Sequence, residues 1–366
     1  MTAICATPQF LVAEYQRAAE LYQPALRLLD GARILLTGGT GPFGQWILGV
    51  AKAAHDLFGI RIGFDLVTRD AQALRFRFSG LLQAMDVRLI EGDVRQVDFS
   101  QSGAPLIIHG AAPSARETFE GKSSLDKFDA LYLGTRRIAE HATTIKAQKL
   151  LFVSSGAAYG SQGSGGFAED GCYQIATDLR DGGLMQGKRA AEFIAFETCR
   201  QAGIECVAAR CFSFVGAGMP YDLHYAVGEF TFKAIKQEPI VIQSDGTALR
   251  SFMHLRDLSG WLLTLLAQHT QHAIYNVGSS YEVSILDLAQ KIKKNLGSAS
   301  EITCLGGPST SVGNPTRHAY VPDISRIKHE LMLPPVLPLD EALQSYAHWV
   351  AYDLKHSAVA ASRTGA

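Results

Sequence analysis

From residue 32 onward, short apolar runs alternate with amphipathic stretches, and this rhythm predicts most of the elements. "ARILLTGG" (32–39), "RIGFDLVTRD" (61–70), "DVRLIEGDV" (86–94), "APLIIHGAA" (104–112), "KLLFVSSGA" (149–157) and "ECVAARCFSFVG" (205–216) read as strands. Helical periodicity fills most of the intervals, as in "FGQWILGVAKAAHDLFG" (43–59), which a glycine closes. Strands that are almost continuously apolar, alternating with helices, imply a parallel sheet covered on both faces. The fold class is therefore α/β, a doubly wound parallel sheet. Residues 9–30 carry a helical pattern broken by Pro24 and predict a helical extension docked before the first strand. After residue 215 the order loosens, with a late strand at "HAIYNVGSS" (272–280) and helices at 284–297 and 338–354.

These patterns divide the chain into an extension (1–30) and a dinucleotide-binding domain (31–215, with 251–280 returning to it). A smaller C-terminal lobe takes 216–250 and 281–355, and a disordered tail takes 356–366. Composition then narrows the classes. The chain has 366 residues, 47% apolar and 19% charged, with a formal net charge of −1. Such a chain can bury a large core, and no basic field is present to hold a nucleic acid or an anionic membrane by charge. Six cysteines show no CxxC pair and no zinc spacing with histidines, which points to reduced thiols, no metal and a cytoplasmic protein. No apolar stretch reaches the roughly 18 residues of a membrane span, and no basic-then-apolar leader opens the sequence.

"TGGTGPFG" (37–44) sets Gly38, Gly41 and Gly44 between a strand and a helix. Glycines there allow a tight turn and a close approach of backbone to a pyrophosphate, whose charge sits at the helix N-terminus. Gly38, Thr40, Gly41, Pro42, Phe43 and Gly44 are the first candidate cofactor residues.

The G-x-x-G-x-x-G spacing resembles that of the extended short-chain dehydrogenase/reductase superfamily, in its nucleotide-sugar-modifying branch. Further stretches carry the resemblance in family order, from about Gly31 to Trp349. "GDVR" holds Asp93 and Val94, which resemble the family's adenine contacts. "HGAAP" supplies Gly110, Ala111 and Ala112 under the cofactor. "YLGTRRIAEHA", "VSSGAAYG", "RCFSFVG", "LRSFMHLRDLSGWL" and "YNVGSSYEVSILDLA" resemble later family motifs, with Ser213 in place of an asparagine. The resemblance implies a Rossmann-type sheet with a smaller substrate-binding lobe, an NAD or NADP cofactor, a nucleotide-diphosphate sugar as ligand, and a homodimer. The second strand ends in "LVTRD", where NAD-preferring relatives carry an acid for the ribose. Thr68 takes that place, and Arg69 suits a 2′-phosphate, which favours NADP. Asp70 is the acid if the register is shifted by two.

By the same resemblance, Ser155 orients the sugar hydroxyl and Lys188 of "LMQGKRAAE" bonds the nicotinamide ribose. The family tyrosine should stand four residues before the lysine, where this chain has Leu184. The proton carrier is therefore open among Asp181, Tyr173, Cys172, His109 and Lys188 itself, with Glu169 and Asp170 of "FAED" read as structural. Gly156 and Ala157 stand where 4,6-dehydratases carry an acid pair. Arg250 resembles the residue that bonds the diphosphate, Arg317 is a second candidate, and Ser213 faces the substrate. His254 and Asp257 read as structural. The function implied is an NAD(P)-dependent epimerase or keto-sugar oxidoreductase working through transient C4 oxidation. The alternatives are a dehydratase of non-standard type or a catalytically disabled nucleotide-sugar binder.

Overall fold

The computed structural model describes residues 7–82, 85–113, 116–117, 121–160, 166–171, 182–223, 225–306 and 319–364. Two helices lead in, α1 (Gln9–Leu21) and α2 (Gln23–Leu28). Pro24 falls in the first turn of α2, where its missing N–H costs nothing. The first half-sheet follows: β1 (Arg33–Thr37), α3 (Pro42–Phe58), β2 (Gly63–Thr68), α4 (Ala71–Arg77), α5 (Ser79–Leu82) and β3 (Val87–Glu91). The second half adds β4 (Leu106–His109), α6 (Ser124–Ile145), β5 (Lys149–Ser155), α7 (Gly183–Ala202) and β6 (Glu205–Cys211).

Beyond these lie β7 (Phe214–Val215), α8 (Ala226–Lys236), β8 (Ile240–Ile242), β9 (Leu249–Arg250) and β10 (Met253–His254). Then come α9 (Leu255–Ala267), β11 (Ile274–Val277), β12 (Val283–Ser284), α10 (Ile285–Asn295) and β13 (Ile302–Cys304). The chain finishes with β14 (Ala319–Tyr320), α11 (Ser325–Leu331) and α12 (Leu339–Thr364).

The main sheet runs β11-β6-β5-β4-β1-β2-β3, and every pairing in it is parallel. Strand order reverses between β1 and β4, which opens a crevice at their C-terminal ends. The helical extension packs against α3 and α9. Tyr15 meets Trp46 of α3 edge-on with ring centroids 5.0 Å apart, and Tyr22 donates to the buried Asp257 carboxylate at 3.1 Å. Asp257 also accepts from Arg256 Nε and from the Leu337 amide, while His254 caps α9. Both residues are structural, as the sequence suggests.

A second core, built on Val227, Phe230, Ile240, Leu288, Ile292 and Tyr346, holds α8, α10 and α12 together beyond the strand ends. Two differences from the sequence reading have physical causes. Ile324, Ile327 and Leu331 belong to the main core, so this part of 281–355 packs with the sheet rather than with the smaller lobe. The reason is β11, an edge strand that α11 covers. The tail read as disordered is helical to Thr364, because "SAVAASRT" contains good helix formers and no breaker before Gly365.

Candidate active site

A crevice of about 100 Å³, open to solvent on one side, lies at the ends of β1 to β4. Gly38, Thr40, Thr68, Arg69, Asp93, Val94, Ala111 and Ala112 line it. Gly38 has φ +77°, and a Cβ built there would stand 2.5 Å from the Gly110 carbonyl oxygen. The loop therefore lies directly on the end of β4. Gly41 is the extended N-cap of α3, and Pro42 and Gly44 both fall in its first turn. Phe43 turns away from the crevice and meets Phe214 edge-on at 5.1 Å. A 17-residue helix thus aims its N-terminus at a glycine-walled space, the arrangement that receives a pyrophosphate. These residues fit a dinucleotide.

Charge is distributed along the rim. The Asp93 carboxylate accepts from Arg95 Nε and Nη2 at 2.9 and 2.8 Å, and the guanidinium holds its pKa down to about 2. Thr68 is buried and donates to the Asp70 carbonyl. Arg69 is exposed, with Nη1 2.8 Å from Glu117. Asp70 caps α4, accepting the Ala73 N–H at 2.8 Å, so its carboxylate is already engaged. His109 sits between the Thr37 and Thr135 hydroxyls at 2.7 and 3.0 Å. Burial pushes its pKa down to about 3, so it is a neutral packing residue.

Beside the crevice, β5 ends in Ser155, whose Oγ accepts the Ala157 N–H at 3.1 Å. Lys188 on α7 is 5% exposed. Its Nζ donates to the Val153 carbonyl at 2.6 Å and stands 4.9 Å from the centroid of the Phe152 ring. Burial lowers its pKa to about 8. Leu184, one turn earlier on α7, is 41% exposed. Glu169 accepts the Asn276 N–H at 2.9 Å and ties the 166–171 segment to β11, the structural role expected of it. Asp181, Tyr173, Cys172 and Arg317 lie outside the described residues.

Arg250, on β9, is half-buried and donates to the Leu249 carbonyl at 2.8 Å. Ser213 links β6 to β7, its carbonyl accepting the Met253 N–H at 3.0 Å. The sequence reading missed one residue here. Tyr320 on β14 registers with Arg250 on β9, which brings its ring over the end of β5. No local pattern could have singled it out, because a strand pairing distant in sequence makes the contact. Ser155 and Lys188 thus stand at the end of β5, and Tyr320 lies over that end with Arg250 beside it in the β14–β9 ladder.

Comparison with known proteins agrees with this geometry. Residues 34–278 match the model of the "NAD dependent epimerase/dehydratase family". UDP-glucuronic acid decarboxylase 1 of Xenopus tropicalis is 32% identical over 173 residues, covering 47% of this chain and 40% of that protein. UDP-glucuronic acid decarboxylase 3 of Arabidopsis thaliana is 32% identical over 158 residues, covering 43% and 44%. The matches thus span less than half the length of these relatives. Among solved structures, UDP-glucose 4-epimerase of Thermotoga maritima with UDP-glucose superposes with a TM-score of 0.73 at 17% identity, covering 88% of this chain and 99% of that one. UDP-glucuronic acid 4-epimerase of Bacillus cereus with UDP-glucuronic acid and NAD gives 0.72 at 21%, covering 87% and 99%. These likenesses confirm the Rossmann-type fold. On the match over 34–278, the chain belongs to the NAD dependent epimerase/dehydratase family.

Proposed function

We propose that this chain is an NAD(P)-dependent enzyme that modifies a nucleotide-diphosphate sugar through transient oxidation at C4. One observation carries this reading. Ser155 and the buried cation Lys188 share the end of β5, the strand next to β4 and the glycine-walled crevice, and Arg250 pairs in register with Tyr320 over that same strand end. When bound there, a nicotinamide ring supplies a hydride acceptor and donor. The chain's own residues do the rest. Lys188 anchors the ribose and contributes positive charge, Ser155 orients the sugar hydroxyl, and Arg250 grips the diphosphate as a two-pronged donor. Ser213 and Arg317 are further substrate contacts in this scheme, and Asp181 remains a proton-carrier candidate. The smaller lobe, 216–250 with most of 281–355, carries the nucleotide.

The outcome at the sugar follows from Gly156 and Ala157. With no carboxylate there, proton movement at C5 and C6 lacks its usual carriers, which disfavours 4,6-dehydration. Epimerisation and keto-sugar reduction need none. Decarboxylation of a glucuronate needs none either, since a C4 ketone lies β to the carboxylate and lets carbon dioxide leave. UDP-glucuronic acid is therefore the first substrate to try, in a panel of UDP-, dTDP-, GDP- and CDP-sugars with NAD⁺ and NADP⁺. Product mass and NMR should show turnover of at least one sugar. Tight binding without turnover across the panel would instead establish the disabled binder, the reading that Leu184 favours.

For the cofactor we propose NADP. The support is that Asp70 is engaged as a helix cap, while Arg69 stands on the rim in a single exposed ion pair with Glu117 that a 2′-phosphate can replace. Arg69→Ala is expected to weaken NADP⁺ binding about tenfold and NAD⁺ binding little, the loss of one charge-assisted contact. Equal weakening of both in calorimetry would count against NADP.

We also propose a homodimer formed through α6 and α7. Leu133 and Phe193 on these helices are exposed, at 41% and 68%. Light scattering should give about twice the 39.6 kDa chain mass, falling to one chain in Phe193→Glu. An unchanged mass in that variant would move the interface elsewhere. Among the described residues no helix is long and apolar enough to cross a membrane, and Cys199, Cys206, Cys211 and Cys304 are free thiols. These thiols suit a reducing compartment, and we place the protein in the cytoplasm.

A further inference from the structure

The space that Gly156 leaves open is filled by a single side chain. Tyr320 lies beside Arg250 in the ladder of β14 with β9. Its ring packs on Phe212 with centroids 4.7 Å apart and on Phe167 at 6.0 Å. Its hydroxyl fills the space above Gly156, where an added Cβ would stand 2.7 Å from the phenolic oxygen and 2.9 Å from the Phe212 ring. Any side chain at 156 would displace the phenol. That oxygen therefore stands beside Ser155 and Ala157, the two residues that flank Gly156. A glycine where 4,6-dehydratases carry an acid, and a leucine where the family carries a tyrosine, are thus consistent with one rearrangement: a phenol delivered to the serine from the other lobe.

We propose that Tyr320 is the catalytic phenol of this site, exchanging a proton with the sugar hydroxyl that Ser155 orients. This rests on the nucleotide-sugar reading above. In the oxidising direction the C4–H bond breaks, and a nicotinamide held in the crevice would take its electron pair as hydride. The C4 hydroxyl loses its proton to the Tyr320 phenolate, and the carbonyl forms. In the reducing direction the phenol returns that proton to the ketone oxygen as hydride comes back to C4.

The groups facing the phenol are Cys211 from β6 and Arg250 from β9, with the Lys188 ammonium beyond Cys211. Arg250 favours the phenolate, but burial outweighs it and pushes Tyr320 up to about 12. The site as it stands therefore holds a proton donor, set for ketone reduction. Alcohol oxidation should quicken as pH rises above neutral.

The test uses the full chain labelled with ¹³C at the tyrosine Cζ, with the Tyr320 resonance assigned by its loss in Tyr320→Phe. That resonance should move when Ser155 is changed to alanine, and again when UDP-glucuronic acid binds. Tyr320→Phe should bind UDP-glucuronic acid within about threefold of the unaltered chain yet lose turnover by about 10²-fold or more, the usual worth of a positioned acid or base. Adding Leu184→Tyr to Tyr320→Phe should restore turnover at least about tenfold, by supplying a phenol from α7. A Tyr320→Phe chain that keeps turnover within about twofold overturns the proposal, because a merely packed ring can lose its hydroxyl freely. So does a Tyr320 resonance that stays fixed while the sugar saturates the site. A chain that binds no nucleotide sugar at all sinks the nucleotide-sugar reading and this proposal with it.

Discussion

Lys188→Met is expected to give a folded chain whose turnover is lower by about 10²- to 10⁴-fold. The methionine keeps the length and apolar stem that pack against Phe152 and removes the charge that the site uses. The same change should alter stability in a pH-dependent way. Lys188 is buried and its pKa falls from 10.5 to about 8 on folding. A base whose folded pKa lies below its unfolded value weakens the native state while both forms are protonated, below about pH 8. That penalty is relieved as pH rises from about 8 towards 10.5. Lys188→Met should therefore be the more stable chain at pH 7, by a margin on the order of a few kcal/mol, because a tenfold change in proton affinity is worth about 1.4 kcal/mol. The margin should narrow as the pH is raised through that window. Denaturant midpoints of the two chains at pH 7 and pH 9.5 check it. A margin that widens with pH would mean that Lys188 is not a desolvated cation.

Gly38→Ala should abolish dinucleotide binding within measurable range and lower stability. The residue sits at φ +77°, where an L side chain costs about 1–2 kcal/mol, and the added methyl would meet the Gly110 carbonyl at 2.5 Å. The loop must lift off β4, and the backbone then no longer presents its N–H groups to a pyrophosphate. The expected loss of NADP⁺ affinity is at least about 100-fold, since both the helix terminus and the turn lose their aim. Calorimetric binding within about fivefold of the unaltered chain would show that the dinucleotide lies elsewhere. Thermal unfolding alone cannot substitute for this measurement, because a destabilised loop and a misplaced site both lower the melting temperature.

How much of this was legible in the sequence depends on how local each feature is. The glycine loop, the strand ends at Asp93, Gly110 and Ser155, and the lysine helix are contiguous stretches whose spacing survives without a fold. In the structure the glycine loop and Asp93 line one crevice, Gly110 lies against Gly38, and Ser155 and Lys188 stand at the end of the next strand, β5. The Asp70 alternative could not be settled from "LVTRD". The first turn of α4 adds that the carboxylate accepts the Ala73 N–H. Tyr320 was invisible for the opposite reason: its neighbours Arg250, Phe212 and Gly156 come from three distant segments. The lobe boundary shifted at Ile324–Leu331, because apolar periodicity shows that a helix is buried but not against which core. In the tail, small residues resembled a disordered segment, while their helix propensity carried α12 to Thr364.

Hydride transfer at C4 within one site is the claim on which the rest depends, and isotope tracing reads it directly. UDP-glucuronic acid carrying deuterium at C4 would be incubated with the chain and NADP⁺ or NAD⁺, and the label followed by mass spectrometry and NMR. The account predicts deuterium on the reduced nicotinamide while the sugar is a ketone, or returned to C4 of the product. Sugar converted with its C4 deuterium never leaving carbon, or sugar bound with the cofactor unreduced and no product at any pH, would contradict it.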